Sequence, residues 1–357
     1  MKACIKKLLC LGMLMLAFVI LMPTQTEAIT NLKQKTAKKT SATITWKKSA
    51  GEASWQVEYV MSTKNWVSAK TMDLSEGKLK TTGKKTIKST MLSKTKYTCK
   101  GLQAGRIYKV KVHAFNAQGE KIKSATKTIK IETLPDKVEC TAAYWPEVLE
   151  NPDSLAFAGM VHFVTQDSAD GYQVRVMDME GKTLANETYK YKKSSTINHK
   201  SGNYIQYQSG NQGTYTFFAQ KGKEPTYKVK IRAYQIRNGK KVYGAWTTAY
   251  GLRQPIVQYR VLDDGSVQLR WNKNSSVTGY AVYVSDEKKT FTVKSTRKAF
   301  NKSKVVTCSG NMTTVTLKKG FFKPGKTNYI LVTAEKNVGG KIYSSYCWTH
   351  YVFKVDF

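Results

Sequence analysis

The chain has 357 residues and a net charge of +35, with 59 lysines and arginines against 24 acidic residues. A field of that sign draws a protein toward polyanions and weakens with salt. Past the first 28 residues only eight basic side chains are arginine, the residue of planar bidentate recognition, so the charge suits diffuse attraction and argues against sequence-specific reading of nucleic acid.

The N-terminus carries Lys2, Lys6 and Lys7, then an apolar run from Leu8 to Met22, then Thr26-Glu27-Ala28. This is the pattern of a secretory signal cleaved between Ala28 and Ile29. The run is too short for a membrane span, which needs about twenty apolar residues. An uncleaved anchor is the alternative. The expected product is secreted and extracellular, or associated with a cell wall by non-covalent contacts, with no transmembrane span in the mature chain. Its excess charge is uneven: +17 over 29–134, +5 over 135–254 and +11 over 255–357.

From residue 29 onward one figure occurs three times. An alternating strand ends on an aromatic residue, a polar turn follows, and a second strand begins on another aromatic nine residues on. The pairs are Trp46/Trp55, Phe163/Tyr172 and Trp271/Tyr280. Further down, Tyr108, Tyr227 and Tyr329 each open another alternating run, at 62, 64 and 58 residues from the first aromatic. In YKVKVHAF, for example, Lys109, Lys111 and His113 alternate with Val110, Val112 and Ala114, the period of a half-buried strand. Leu134-Pro135 and Gln254-Pro255 mark linkers, since proline cannot donate to a ladder. The pattern predicts an all-β chain of three domains, 29–134, 135–254 and 255–357, after a signal at 1–28. About a hundred residues suffice for an independent core.

Trp46, Trp55, Leu102 and Tyr108, within LQAGRIYKVKVHAFN, resemble a fibronectin type III domain of the kind found on exported bacterial proteins. Trp271, Tyr280, Leu317 and Tyr329 resemble it equally. The resemblance implies tandem immunoglobulin-like β-sandwiches. In these the first aromatic and the leucine fill the space between the sheets, and the late tyrosine makes a corner by bonding back to backbone. The middle copy is divergent: Phe163 replaces tryptophan, and the leucine gives way to Phe217 or Phe218. Such domains serve as spacers, adhesins and receptors alike, so the resemblance is nearly silent on function.

Catalytic chemistry finds little material. His113, His162, His199 and His350 lie in no HExxH and beside no second histidine, and Asp263-Asp264, Asp286-Glu287 and Asp178/Glu180 read as turn chemistry. There is no phosphate loop, calcium loop or CxxC, so no cofactor or metal is expected and the chain reads as a non-enzyme. Cys308 and Cys347 share the third copy, where an exported protein could join them in a disulfide; buried free thiols are the alternative.

Binding has better material. Tyr204, Tyr207 and Tyr215 stand among Asn203, Gln206, Gln208 and Asn211 in the middle copy. Rings and amides are what a surface uses to hold sugar or protein, so these three are the candidate ligand patch; cover for an ordinary hairpin is the plain alternative. The runs Lys33/Lys35/Lys38/Lys39, Lys84/Lys85, Lys190/Lys192/Lys193 and Lys318/Lys319/Lys323 either keep a solvated surface or hold the chain on an anionic cell-wall polymer or glycan. A spacer with such a partner is the preferred reading. A carbohydrate-binding or adhesin accessory protein, and a hydrolase with an unrecognised site, are the competitors.

Overall fold

The structure, a computed structural model, describes residues 29–62, 65–66, 81–82, 85–145, 157–191, 196–208, 212–219, 226–253, 255–286, 304–345 and 353–356. The expected signal at 1–28 lies outside them. The chain is all-β and forms two compact units, one holding the first sandwich and the other the second and third.

In the first sandwich, strands Thr30–Ala37, Ala42–Lys47 and Lys96–Cys99 make one antiparallel sheet. Strands Ile87–Lys88, Ser54–Met61, Ile107–Phe115 and Lys121–Glu132 make the other. Ile44 and Trp46 from one sheet meet Trp55, Val57 and Val110 from the other in a buried core. The third sandwich repeats the plan with Val257–Val261, Val267–Trp271 and Thr314–Leu317 against Lys304–Ser309, Gly279–Ser285, Thr327–Val338 and Lys341–Ser344. The second departs from it. To the sheet of Cys140–Trp145, Phe157–Val164 and Gln212–Ala219 it adds two strands, Asn203–Gln208 and Thr196–Lys200. Its other sheet runs Thr183–Lys190, Gly171–Met177, Thr226–Arg237 and Lys240–Tyr243, with Thr247–Leu252 also paired to Thr226–Arg237.

The nine-residue aromatic figure is a contact. Ring centroids lie 6.0 Å apart in Trp46/Trp55, 4.9 Å in Phe163/Tyr172 and 5.1 Å in Trp271/Tyr280. Why the second member is tyrosine in two copies follows from the turn between the strands. Six residues upstream a backbone N–H points inward and needs an acceptor. The Tyr172 hydroxyl accepts from Gln166 N at 2.7 Å and the Tyr280 hydroxyl from Asn274 N at 2.9 Å. Trp55 has no hydroxyl, and there the buried carboxylate of Glu52 accepts from both Ser49 N (2.9 Å) and the Trp55 indole N–H (3.2 Å).

The expected tyrosine corner forms in the first copy, where Tyr108 Oη accepts from Gln103 N at 2.7 Å. Register then corrects the third. Trp55 pairs with Ala114, Tyr172 with Ala233 and Tyr280 with Ala334, so the residue matching Tyr108 and Tyr227 is Asn328; Tyr329 is one place on and half-buried. Asn328 makes the corner with its amide. Its Oδ1 accepts from Lys323 N at 2.9 Å and its Nδ2 donates to the carbonyls of Lys323 and Lys326. By the same count Phe322, buried at 5 % exposure, stands where Leu102 stands. Leu317 instead pairs with Val267 as Cys99 pairs with Ala42 and Phe217 with Gly159. Of the two phenylalanines expected in the middle core, Phe217 is inside and Phe218 is exposed.

A candidate binding face on the second sandwich

The ligand patch expected at Tyr204, Tyr207 and Tyr215 is not a surface patch. Tyr207 and Tyr215 are buried at 1 % and 0 % exposure. Strand Asn203–Gln208 alternates, and Asn203, Ile205 and Tyr207 share its inner side with a core that contains Phe163 and Tyr172. Polar neighbours concealed this, because Gln206 and Tyr204 face the other way. Tyr207 packs edge-on against Tyr191 at 4.9 Å, and its buried hydroxyl has no hydrogen-bond partner among the described residues. Tyr215 Oη donates to the buried Glu187 carboxylate at 2.9 Å, which also receives Tyr189 Oη at 2.5 Å and Asn203 Nδ2 at 3.1 Å. Burial raises the phenols of Tyr189, Tyr207 and Tyr215 above their ordinary value, which keeps all three neutral. Tyr204 alone keeps the expected outward placement, half-buried beside His199 and Phe218.

Ala28 lies outside the described residues, whereas Ile29 is buried in the first core at 2 % exposure. Cys308 is buried, and its expected disulfide partner Cys347 lies outside the described residues. Burial pushes the thiols of Cys99 and Cys140 up to about 12. His113 and His162 hydrogen-bond the neighbouring threonines Thr126 and Thr214 at 3.1 and 3.0 Å.

What the sequence reading missed is the outer face of the sheet that carries Tyr172. Gln173 and Arg175 on one strand, with Lys228, Lys230 and Arg232 on the next, alternate with buried residues and point away from the core. Register sets Gln173 beside Arg232 and Arg175 beside Lys230. A hydrogen-bonded relay crosses three strands. Arg232 Nε and Nη2 donate to Gln173 Oε1 at 2.9 and 2.7 Å, and Gln173 Nε2 donates to Asn186 Oδ1 at 3.0 Å.

Aromatic rings complete the face. The Arg232 guanidinium lies 3.8 Å from the Tyr243 ring centroid and 4.3 Å from that of Trp246, and Arg175 is 5.5 Å from Trp246. Arginine stacks this way because its planar cation is weakly hydrated and the ring face is negative. Burial lowers the Arg232 guanidinium from its ordinary value, Tyr243 opposes that shift, and the nearby Arg175 adds to it. The cation remains fully charged. No outward position of strands Gly171–Met177, Thr226–Arg237 and Thr247–Leu252 between Gln173 and Tyr250 carries a carboxylate; Glu187, on the neighbouring strand, faces inward. Chemically, this is a surface of fixed cations braced by rings and amides.

No curated protein matches the chain. Among solved structures it is similar to the FN1-FN3 domains of chicken CNTN1, with 12 % identity over 92 % of this chain and 97 % of that one and a TM-score of 0.30. It is also similar to a two-domain fibronectin type III segment of chicken tenascin, with 15 % identity over 63 % of this chain and 98 % of that one and a TM-score of 0.29. Residues 27–130 match the family described as the fibronectin type III domain, so the family match falls on the first sandwich, and the paired sheets of the other two are consistent with the same kind of domain in tandem.

Proposed function

We propose that the chain is an exported, non-enzymatic binding and spacer protein, held by its basic charge on an anionic cell-wall polymer or glycan. Fibronectin type III domains serve generally as binding and spacer modules. The observation that carries the finer reading is the face of Arg175, Lys228, Lys230 and Arg232 beside Trp246 and Tyr243, whose outward strand positions among the described residues carry no carboxylate to oppose a polyanion. The net charge of +35 extends that attraction over the surface. Each cation near an anionic surface adds roughly 1 kcal/mol, so several acting together suffice for retention. Export rests on the charged, apolar and polar order of residues 1–28. Among the described residues no helix is long and apolar enough to cross a membrane.

Fractionation of the producing cells, with and without a salt wash, tests the reading. The protein is expected with the cell surface at low salt and in the wash at high salt. The purified chain should elute from immobilised heparin at lower salt once Arg175 and Arg232 are both changed to glutamine. A chain that stays in the medium at low salt and passes through heparin unretained would sink the proposal.

A further inference from the structure

The cationic face does not stop at the edge of the second sandwich. Along the chain from Trp246, Thr248 and Tyr250 follow at the two-residue period of a strand, with the buried Ala249 on the other side. Lys230 and Lys228 are their partners on the neighbouring strand. Tyr250 then meets Tyr343 of the third sandwich edge-on at 5.1 Å. Tyr343 packs against the cores of both sandwiches, and its hydroxyl donates to Thr248 O at 3.3 Å. Two lysines of the third sandwich cap the pair: Lys336 Nζ lies 5.7 Å from the Tyr250 ring and Lys341 Nζ 4.9 Å from that of Tyr343. Lys336 Nζ also donates to Ser276 O, and Asn274 Nδ2 approaches Thr226 Oγ1 at 3.4 Å across the same junction. The seam is therefore held by ring packing and hydrogen bonds, and cations stand at both ends of it.

We propose that a single extended polyanionic glycan lies along this row, from Arg232 and Trp246 past Lys230 and Lys228 to Lys336 and Lys341, so that the second and third sandwiches bind it as one unit. The inference rests on the proposed polyanion binding and adds the footprint. Two cation groups on one fixed support bind one chain with the second contact made intramolecular, so affinity rises with ligand length once the ligand spans both. A fixed junction preserves that gain, whereas a free one spends it on ordering. Rings beside the cations suit a sugar chain, because the electron-rich face of a ring packs on sugar C–H groups while the neighbouring cation meets the acidic group.

The experiment titrates the full chain with a heparin disaccharide and with a long heparin chain over a range of salt. Wild type is expected to bind the long chain far more tightly. Changing Lys336 and Lys341 together to glutamine should weaken the long chain about tenfold and lower its salt slope by about two, leaving the disaccharide unaffected. Arg232→Gln should weaken both ligands. Lys318→Gln with Lys319→Gln removes the same charge from exposed positions of the third sandwich off the row, and should leave the slope nearly intact. Equal loss in that control, or an unchanged slope in the Lys336/Lys341 variant, overturns the shared footprint. Absence of any salt-dependent binding by wild type overturns the function it rests on.

Discussion

Gly159 and Phe217 face one another on paired strands of the second sandwich, and the phenylalanine ring fills the space that a side chain at position 159 would need. The equivalent pairs are Ala42 with Cys99 and Val267 with Leu317, so each copy divides the same space differently between its two strands. Gly159→Ala forces the Phe217 ring against its neighbours and should cost about 1–3 kcal/mol, the usual penalty for overpacking. Phe217→Leu in the same chain should return much of that loss. Faster hydrogen exchange in strands Phe157–Val164 and Gln212–Ala219 of the single variant, relieved in the double, is the outcome to look for.

Two tyrosines of one sandwich should respond oppositely to loss of a hydroxyl. Tyr215→Phe takes a donor from the buried Glu187 side chain, leaving it the hydrogen bonds from Tyr189 and Asn203, and should destabilise by about 1–3 kcal/mol. Tyr207→Phe removes a buried hydroxyl that has no partner among the described residues and should be neutral or stabilising. Thermal unfolding of the two variants beside wild type decides it. A clear loss in Tyr207→Phe would show that its hydroxyl is satisfied by something further.

Much of this was legible in the residues, and the misses have physical causes. The nine-residue aromatic figure survives because those rings must touch between the sheets. The third corner was misread because an asparagine can do a tyrosine hydroxyl's work, while Tyr329 stood next to it as a decoy. For Tyr207 and Tyr215 the surrounding amides suggested water, yet Ile205 two residues from Tyr207 was the sign that this side of the strand faces inward. The cationic face was hidden among lysines. Arginine's scarcity was the usable signal: two of the few arginines stand on neighbouring strands, and both reach the same tryptophan.

Arg232→Lys keeps the charge and loses the geometry. The ammonium cannot reproduce the two-pronged donation to Gln173 or lie flat between Tyr243 and Trp246. Loss of the stack should cost about 0.5–1 kcal/mol of local stability. Elution from heparin should fall between that of wild type and Arg232→Gln. If the lysine variant elutes with wild type, only the charge matters at this position.

Burial holds the His162 imidazole neutral, with its pKa lowered to about 4 from an ordinary 6.5. The unfolded chain therefore takes up a proton as pH falls through 6.5, while the folded chain refuses it until about pH 4. Stability of the second sandwich should be fully present above pH 6.5, decline as pH drops toward 4, and level off below that as far as this residue is concerned. The whole effect is at most about 3–4 kcal/mol, since each pH step between the two values is worth roughly 1.4 kcal/mol. His113, lowered chiefly by burial and further by Lys121, should impose a decline of the same sign on the first sandwich. Hydrogen exchange separates the two: His162→Gln should flatten the pH dependence in strands Phe157–Val164 and Gln212–Ala219 and leave strand Ile107–Phe115 as it was. Persistence of the full acid dependence in the variant's second sandwich would assign it to other groups.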